Sequence, residues 1–529
     1  MSVSAAPILY SDGLIEDLSN IVGGAHVLTG GDREFYATDV FRRLEVPEAV
    51  IRPGTTEELR AAVAAACRAG RAIFTRGGGA SYTDGYLPNT ARSILIDVGR
   101  LDRIVEINTR DMYVTVEAGV TWATLDATLA KQGLRTPFRG PFSGLAATVG
   151  GSISQNTVGH GNGAWGISAE SVVAIEAVLA NGEWIKTGQA GSLTGAPFFR
   201  FYGPDLTALF TGDCGALGVK GRITLKLIRR RPSFGAVSFG FGQFAAMHAA
   251  AAECAALGVD EKAFGLDQAL QQGQIGRQNS NAAKAEMAGA VLKSSRGLAS
   301  GMWRLARMGL AGSKALAQAN YAFHYMVEGL DAHEVEVKLA LLRKAALPHG
   351  AELPNTVPTI VRGMPFAPLH NIVGPAGERW VPLHGILPHS AVLSFHQAAV
   401  ACLDRYATDM DRLGVHSGKM FSPIGAGSFL YEPAFYWKDA QTVFHKTMLD
   451  AEYNRTLPSY PPNPEGAELV AAIRSDLIDI FHAHGATHLQ VGKVYPLVKD
   501  RNPQACALLQ AIKHAVDPDM LMNPGALGL

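Results

Sequence analysis

Glycine constrains this chain more than any other residue. Of its 529 residues 58 are glycine, and many gather in three short segments. The first is Arg76-Gly77-Gly78-Gly79-Ala80-Ser81-Tyr82. The second runs from Gly150-Gly151-Ser152-Ile153-Ser154-Gln155-Asn156 through Thr157-Val158-Gly159-His160-Gly161-Asn162-Gly163. The third is Thr211-Gly212-Asp213-Cys214-Gly215-Ala216-Leu217-Gly218-Val219. Without a Cβ the backbone can approach a ligand closely, and successive N–H groups in such loops make concave sites for anions. One glycine triplet is usually only a tight turn. Three within one stretch argue for a bound pyrophosphate. There is no Rossmann GxGxxG in its proper context and no Walker A sequence. A dinucleotide held here is therefore held by another kind of fold.

The flanking pattern is mixed. Thr55-Thr56-Glu57-Glu58 opens a helix over Leu59–Ala69, with a threonine cap and early acids. Strands are expected at Arg71–Thr75, Ser93–Val98, Ile104–Asn108 and Tyr113–Glu117, and a helix over Trp122–Gln132 that stops at Gly133. Ser171–Leu179, Asn181-Gly182 and Glu183–Thr187 read as strand, tight turn and strand. The composition shifts at Arg229-Arg230-Arg231-Pro232. Beyond it, 235–350 is alanine-rich and reads as helical, 354–390 reads mostly as loop, and the chain is helical again from Glu465. The fold class is α+β. Expected divisions are an N-terminal segment 1–45, a ligand domain 46–230, a second domain 231–495 and a C-terminal segment 496–529.

Several motifs share the order seen in one family. Arg52-Pro53-Gly54-Thr55-Thr56-Glu57-Glu58-Leu59, the Arg76–Tyr82 loop, Leu95-Ile96-Asp97-Val98, Val116-Glu117-Ala118-Gly119-Val120-Thr121, Thr148-Val149-Gly150-Gly151-Ser152, Glu176-Ala177-Val178-Leu179-Ala180-Asn181-Gly182-Glu183 and the closing Asp517-Pro518…Asn523-Pro524-Gly525 follow one another. Together they resemble the vanillyl-alcohol oxidase and para-cresol methylhydroxylase flavoproteins, most weakly over 235–350. The resemblance implies an FAD domain of two α+β subdomains, an α+β cap domain carrying the substrate site, and a C-terminal tail that returns to the FAD domain. It assigns Gly77, Gly78, Gly79, Ala80, Ser81, Ala147, Gly151, Ser152, Asn156, Gly159, Gly218 and Val219 to the cofactor.

The same resemblance points to catalytic positions, and several depart from the family. Tyr82 falls where phenol-oxidising members bind the phenolate. Thr148 stands where vanillyl-alcohol oxidases carry an aspartate, and threonine cannot serve as that base. Leu489-Gln490 replaces a Tyr-Arg pair. Gln490, Lys493 and Tyr495 form another polar set. Read as a strand, this stretch puts Leu489, Val491, Lys493 and Tyr495 on one face, with Lys493 a candidate partner for an anionic substrate or for reduced-flavin charge. Ala147 lies beside the position associated with oxygen access and leans toward a dehydrogenase. FAD is expected to be non-covalent; His384 is the candidate for a covalent link, because Ala80 stands where other families attach the flavin through histidine. The expected activity is removal of hydride from an alcohol, a hydroxy acid or a benzylic carbon. A 4-alkylphenol oxidase and a non-catalytic flavin-binding subunit are the alternatives.

Lys+Arg and Asp+Glu both number 47, which argues against nucleic acid as a partner. The five cysteines are scattered and include no CxxC, so neither a disulfide framework nor a zinc site is expected, and a reducing, cytoplasmic setting fits. Met1–Asp17 has no secretion pattern, and no stretch is long and apolar enough to span a membrane. No metal-binding His-x-x-Gly-Asp-Gly-Asn occurs. Over 293–318, Lys293, Arg296, Arg304, Arg307 and Lys314 fall within an arc of roughly 80° on a helix. This basic face is read as solvated, with contact to an anionic membrane surface as the alternative. The expected partners are a small-molecule substrate and an acceptor that is oxygen, a quinone or another redox protein. A homodimer is left open.

Overall fold

The computed structural model describes residues 13–277 and 319–529. The chain divides into two compact units. Unit 1 comprises Met1–Thr157, Ser168–Ile228 and Gln490–Leu529; unit 2 comprises Val158–Ile167 and Arg229–Leu489.

Unit 1 contains two sheets. In the first, β1 (Val27–Leu28), β2 (Ala49–Ile51), β3 (Ala72–Arg76) and β4 (Ser93–Asp97) lie in the order β1-β2-β4-β3, with β2, β4 and β3 parallel. Parallel strands are covered on both faces and need continuous apolar runs. Ala49-Val50-Ile51 and Ile94-Leu95-Ile96 supply them and are fully buried. The expected helix is present as Thr56–Arg68, and the Thr55 hydroxyl accepts from Glu58 N at 3.1 Å. The second sheet is antiparallel. Its strands β5 (Ile104–Asn108), β6 (Tyr113–Glu117), β7 (Val172–Val178), β8 (Trp184–Lys186) and β9 (Val219–Lys226) are ordered β5-β6-β9-β7-β8. Gly182, at φ 81°, makes the expected turn between β7 and β8.

Unit 2 is built on one large sheet. Strands β10 (Ser233–Phe241), β11 (Lys262–Asp267), β12 (Tyr321–Gly329), β13 (Ala351–Leu353), β14 (Arg379–Pro382), β15 (Gly385–Pro388), β16 (Val415–Ile424) and β17 (Ser428–Trp437) form it. The order is β13-β10-β12-β11-β16-β17-β14, and β15 also pairs with β17. On one face, Phe323, Tyr325, Phe421 and Tyr431 are fully buried. Helices Phe244–Ala256 and Val392–Leu413 pack there, with the Phe244 ring 5.4 Å from Phe421 and the Phe395 ring 5.0 Å from Tyr431. The opposite face carries two apolar clusters. One holds Phe264, Leu266 and Met326, the other Ile386, Leu430 and Leu489, and Met420 packs against both.

One expectation is corrected here and another refined. The stretch 235–350 is not simply helical, because β10, β11 and β12 run through it. Aromatic and β-branched residues in Ser233–Phe241 and Tyr321–Gly329 suit strands, but the alanines of the helices Phe244–Ala256 and Ala332–Ala346 dominate the composition. The stretch 354–390 does contain much loop, but it is not without regular elements. It contains the helix Thr356–Gly363 as well as β14 and β15. The basic face at 293–318 lies outside the described residues.

Candidate functional site

The first and third glycine segments and the first part of the second meet in unit 1 around one short helix, Val149–Gln155. At its start, Thr148 is the N-cap, and its hydroxyl accepts from Gly151 N at 3.1 Å. The preceding amides pair with the protein as well: Val149 N donates to Val120 O at 2.8 Å and Gly150 N to Ala118 O at 2.9 Å. Ser152 accepts a hydrogen bond from the Trp122 indole at 2.8 Å. Thr148 therefore shapes the helix entrance, and Ala147, next to it, is buried.

The first glycine loop follows β3 and packs on that entrance. A Cβ at Gly77 would overlap the Thr148 hydroxyl, one at Gly78 the Ala146 carbonyl oxygen, and one at Gly79 the Arg76 guanidinium. Gly79 also has φ +71°, a conformation that strains any side chain. Two of the loop carbonyls have protein partners: Gly77 O accepts from the Arg76 guanidinium at 3.3 Å, and Gly79 O accepts from Ser81 N at 2.8 Å and from the Tyr86 hydroxyl at 3.4 Å. The amides differ. Among the described residues, no acceptor meets the N–H of Gly77, Gly78, Gly79 or Ala80. A run of such donors is an anion nest. The buried Arg76 guanidinium lies beside it, 4.7 Å from the centre of the Phe35 ring and 5.3 Å from that of Tyr36. This cation was legible as the residue that opens the loop, but only the packing shows that it stays at the nest.

The third glycine segment closes on the other end of the helix. Gly212 N donates to Ile153 O at 2.8 Å, and Cys214 N to Ser154 O at 2.9 Å. Asn156 ends the helix in the left-handed region, at φ 55°. Asp213 and Lys220 form a buried ion pair at 2.5 Å that anchors this segment to β9. Gly218 and Val219 are buried where β9 begins, and a Cβ at Gly218 would stand 3.0 Å from Val178 O.

The C-terminal return joins all three segments. The expected strand at 489–495 is absent, a correction that traces to backbone geometry: Gln490 has φ 52° and Gly492 φ 55°, so the chain turns. Gln490 N donates to Gln155 O at 2.7 Å, Gly492 N to the Cys214 sulfur at 3.2 Å, and Lys493 N to Thr83 O at 3.0 Å. The Lys493 ammonium donates to Asp84 O at 3.0 Å and to Asn523 Oδ1 at 2.7 Å. Burial lowers its pKa to about 8. Lys493 thus ties the tail to the first loop. The Asn523 amide donates to Gly85 O at 2.8 Å and Cys214 O at 2.5 Å. Asn523 and Cys214 escaped the reading of the sequence, although Asn523-Pro524-Gly525 was visible as a motif.

The remaining expected residues lie in different places. Tyr82 is half-buried in the first loop, whereas Tyr495 is fully buried in the tail. Gly159 is buried in the Val158–Ile167 segment of unit 2. His384, also in unit 2, is buried, and burial depresses its pKa to about 3, so the ring is neutral. Its Nε2 lies 2.7 Å from Leu489 O and donates to it. Leu489 itself belongs to an apolar cluster. No group of three or more candidate metal ligands occurs among the described residues.

Comparison with known proteins gives this geometry a cofactor. Residues 47–188, which carry the first two glycine segments and the whole helix Val149–Gln155, match the FAD binding domain. The chain has an FAD binding domain. It is 31% identical over 245 residues to an uncharacterized FAD-linked oxidoreductase of Mycobacterium tuberculosis, covering 46% of this chain and 51% of that protein. It is also 31% identical over 183 residues to the glycolate oxidase subunit GlcD of Bacillus subtilis, covering 35% of this chain and 37% of that one. The chain thus spans about half, or less, of the length of these curated relatives. The structure of p-cresol methylhydroxylase with substrate bound superposes with a TM-score of 0.74 at 18% identity, covering 99% of each chain. The fold is of the p-cresol methylhydroxylase type, and FAD is the cofactor its domain takes.

The residues fit that cofactor. Gly79 is buried and Gly77, Gly78 and Ala80 are half-buried, so a run of amides that meet no acceptor among the described residues, beside the buried Arg76 guanidinium, favours a bound anion. The nest is the loop at Gly77–Ala80 rather than the helix end, whose first amides are already paired.

Proposed function

We propose that this chain is an FAD-dependent oxidoreductase that oxidises an alcohol, a hydroxy acid or a benzylic carbon. The observation that carries the reading is the run of Gly77, Gly78, Gly79 and Ala80 amides that meet no acceptor among the described residues, inside the matched FAD binding domain. When bound, FAD supplies the two-electron chemistry by accepting hydride from a substrate C–H. The chain supplies position and environment. Gly77–Ala80 and Ser81 hold the pyrophosphate, and Arg76 offsets its charge. Thr148, by capping the helix at Val149–Gln155, fixes the backbone from Ala146 to Gly151 against that loop. Asn156, Gly218 and Val219 line the far end through the third glycine segment. Gln490 and Lys493 are positioning residues that hold the tail on the loops, and Tyr82 is the substrate contact carried by the first loop.

FAD is non-covalent in this reading, because the His384 Nε2 is engaged by Leu489 O. The electrons pass on to oxygen, a quinone or another redox protein, with the small Ala147 leaning toward a dehydrogenase. No described helix is long and apolar enough to cross a membrane.

The test is the visible spectrum of the purified protein before and after anaerobic addition of glycolate, D-lactate, benzyl alcohol and vanillyl alcohol. Flavin bands that bleach with one of them support the reading and name the substrate type. Absence of flavin bands even after incubation with FAD would refute it.

A further inference from the structure

Unit 1 carries an apolar surface that the proposal above does not use. It lies between β8 and β9, in the stretch 193–206. Gly195, Pro197, Gly203 and Pro204 make most of this stretch irregular. Leu193 is nevertheless fully exposed, Tyr202 is 84% exposed, and Phe198, Phe199, Phe201 and Leu206 are 49–58% exposed. A leucine exposed singly needs no explanation, but six large apolar side chains in one short loop do. The rings adjoin one another, with the centroid of Phe199 6.2 Å from that of Phe198 and 6.1 Å from that of Phe201. An aromatic side chain carries about 200 Å² of surface, so the four rings together leave about 500 Å² in water.

The backbone beneath the rings is anchored. Gln189 N donates to Phe199 O at 2.9 Å. The Arg200 guanidinium donates to Ala169 O at 2.8 Å and to Asp205 Oδ2 at 3.0 Å. Asp205 also caps the short helix Leu206–Leu209, accepting from Ala208 N at 3.2 Å. The hydroxyl of the buried Thr207 donates to Thr187 Oγ1 at 2.9 Å. A loop held in this way presents its rings with little further ordering on association. Charge narrows the choice of occupant. Arg200 and Asp205 are the only charged residues of the stretch 188–210, and they pair with each other at 2.9 Å. An anionic membrane surface or a nucleic acid draws unpaired basic side chains, and this stretch supplies none. A loop without net charge can meet its own copy without repulsion.

We infer that the loop 193–206 is a self-association surface, on which a second copy of this chain packs its own Phe198, Phe199, Phe201 and Tyr202 about a two-fold axis. Area separates this from a passing contact. A stable interface takes about 800 Å² from each partner, and the rings alone supply more than half of that before Leu193 and Leu206 are added. An isologous contact uses one patch twice, and the cores of interfaces gather Phe and Tyr and are depleted of charge. The inference does not depend on the substrate or on turnover.

Sedimentation velocity of the full-length protein, from about 0.1 µM to about 50 µM, reads the association directly. The wild type is expected to reach twice the mass of one chain at the upper end. Phe198→Glu/Tyr202→Glu puts two like charges on each copy of the patch and should weaken dimerisation at least about a hundredfold. Its melting temperature, measured where the wild type is also monomeric, should stay within about 2 °C of wild type, because both side chains are exposed. An equimolar mixture with Phe198→Lys/Tyr202→Lys should regain the dimer. Should the double variants fail to fold, Tyr202→Glu alone, at the most exposed of the four rings, should weaken dimerisation at least about tenfold. A wild type that stays monomeric at the highest concentration would overturn the assignment. So would a dimer that persists in the glutamate variants, or a charge-matched mixture that stays monomeric. Co-sedimentation of a monomeric wild type with phosphatidylcholine vesicles, lost in Phe198→Glu/Tyr202→Glu, would also overturn it and give the patch to a lipid surface.

Discussion

Replacing Asn523 with alanine tests whether the tail is part of the cofactor site or merely lies near it. The side chain makes three hydrogen bonds: its amide donates to Gly85 O and Cys214 O, and its oxygen accepts from the Lys493 ammonium. Two are neutral bonds worth about 1 kcal/mol each, and the third, to a charged donor, is worth about 1.5–3 kcal/mol. The sum is about 4 kcal/mol. Non-additivity lowers it, because all three share one side chain. The ammonium would keep only Asp84 O of the two acceptors described, in a site that already lowers its pKa to about 8. At about 2–4 °C per kcal/mol for a unit of this size, Asn523→Ala should melt about 10 °C below wild type. Calorimetry on FAD-free and FAD-loaded protein gives the number. The loaded protein should lose more than the free one, since the bonds tie together two loops of the cofactor domain and weaker binding contributes less by mass action. Asn502→Ala is the control. That residue caps the helix Pro503–Val516 through one exposed bond to Ala505 N at 3.0 Å, and its loss should cost about 1 kcal/mol. If Asn523→Ala melts within about 2 °C of wild type in both forms, the clasp does not hold the loops.

Three further predictions are independent of the clasp. Gly78→Ala should purify with less than about a tenth of the wild-type FAD, read from the ratio of flavin to protein absorbance, because its Cβ would overlap the Ala146 carbonyl oxygen; a tenfold loss needs only about 1.4 kcal/mol. Asp39 is buried beside Asp84, and burial, then that neighbour, raises it from 3.8 to about 7. The folded state therefore holds its proton more tightly, and the Asp39 contribution to stability falls as pH rises from about 4 to 7. Asp39→Asn should thus gain in melting temperature relative to wild type between pH 5 and pH 8, and a difference independent of pH would refute the assignment. Burial pushes the Cys214 and Cys254 thiols to about 12, so neither should react with a disulfide reagent at pH 8 until the protein is denatured, as peptide mapping of the labelled sites would show.

The sequence carried the cofactor domain well because its signals are local. A threonine before two glutamates caps the helix at Thr56–Arg68, and apolar triplets mark parallel strands. Gly78 is glycine because a carbonyl oxygen stands where its Cβ would be. Unit 2 was harder to read. Its paired strands β10 and β12 are far apart in sequence, with the alanine-rich helix Phe244–Ala256 and β11 among the elements between them, and pairing between residues such as Ser238 and His324 is not visible in composition. The segment 489–495 misled for another reason. Alternating Leu489, Val491, Lys493 and Tyr495 satisfies a strand pattern, but side-chain alternation does not report the left-handed φ of Gln490.

Thr148 shows how a departure from a family pattern can be read from packing. Its hydroxyl caps the helix and leaves no room for a Cβ at Gly77, so the residue joins the helix entrance to the Gly77–Ala80 loop. An aspartate could also accept from Gly151 N, as capping requires. It would, however, place a negative charge beside the loop proposed to hold pyrophosphate, whereas threonine caps without that charge. Thr148 thus keeps a task of geometry in the unit that carries the FAD binding domain.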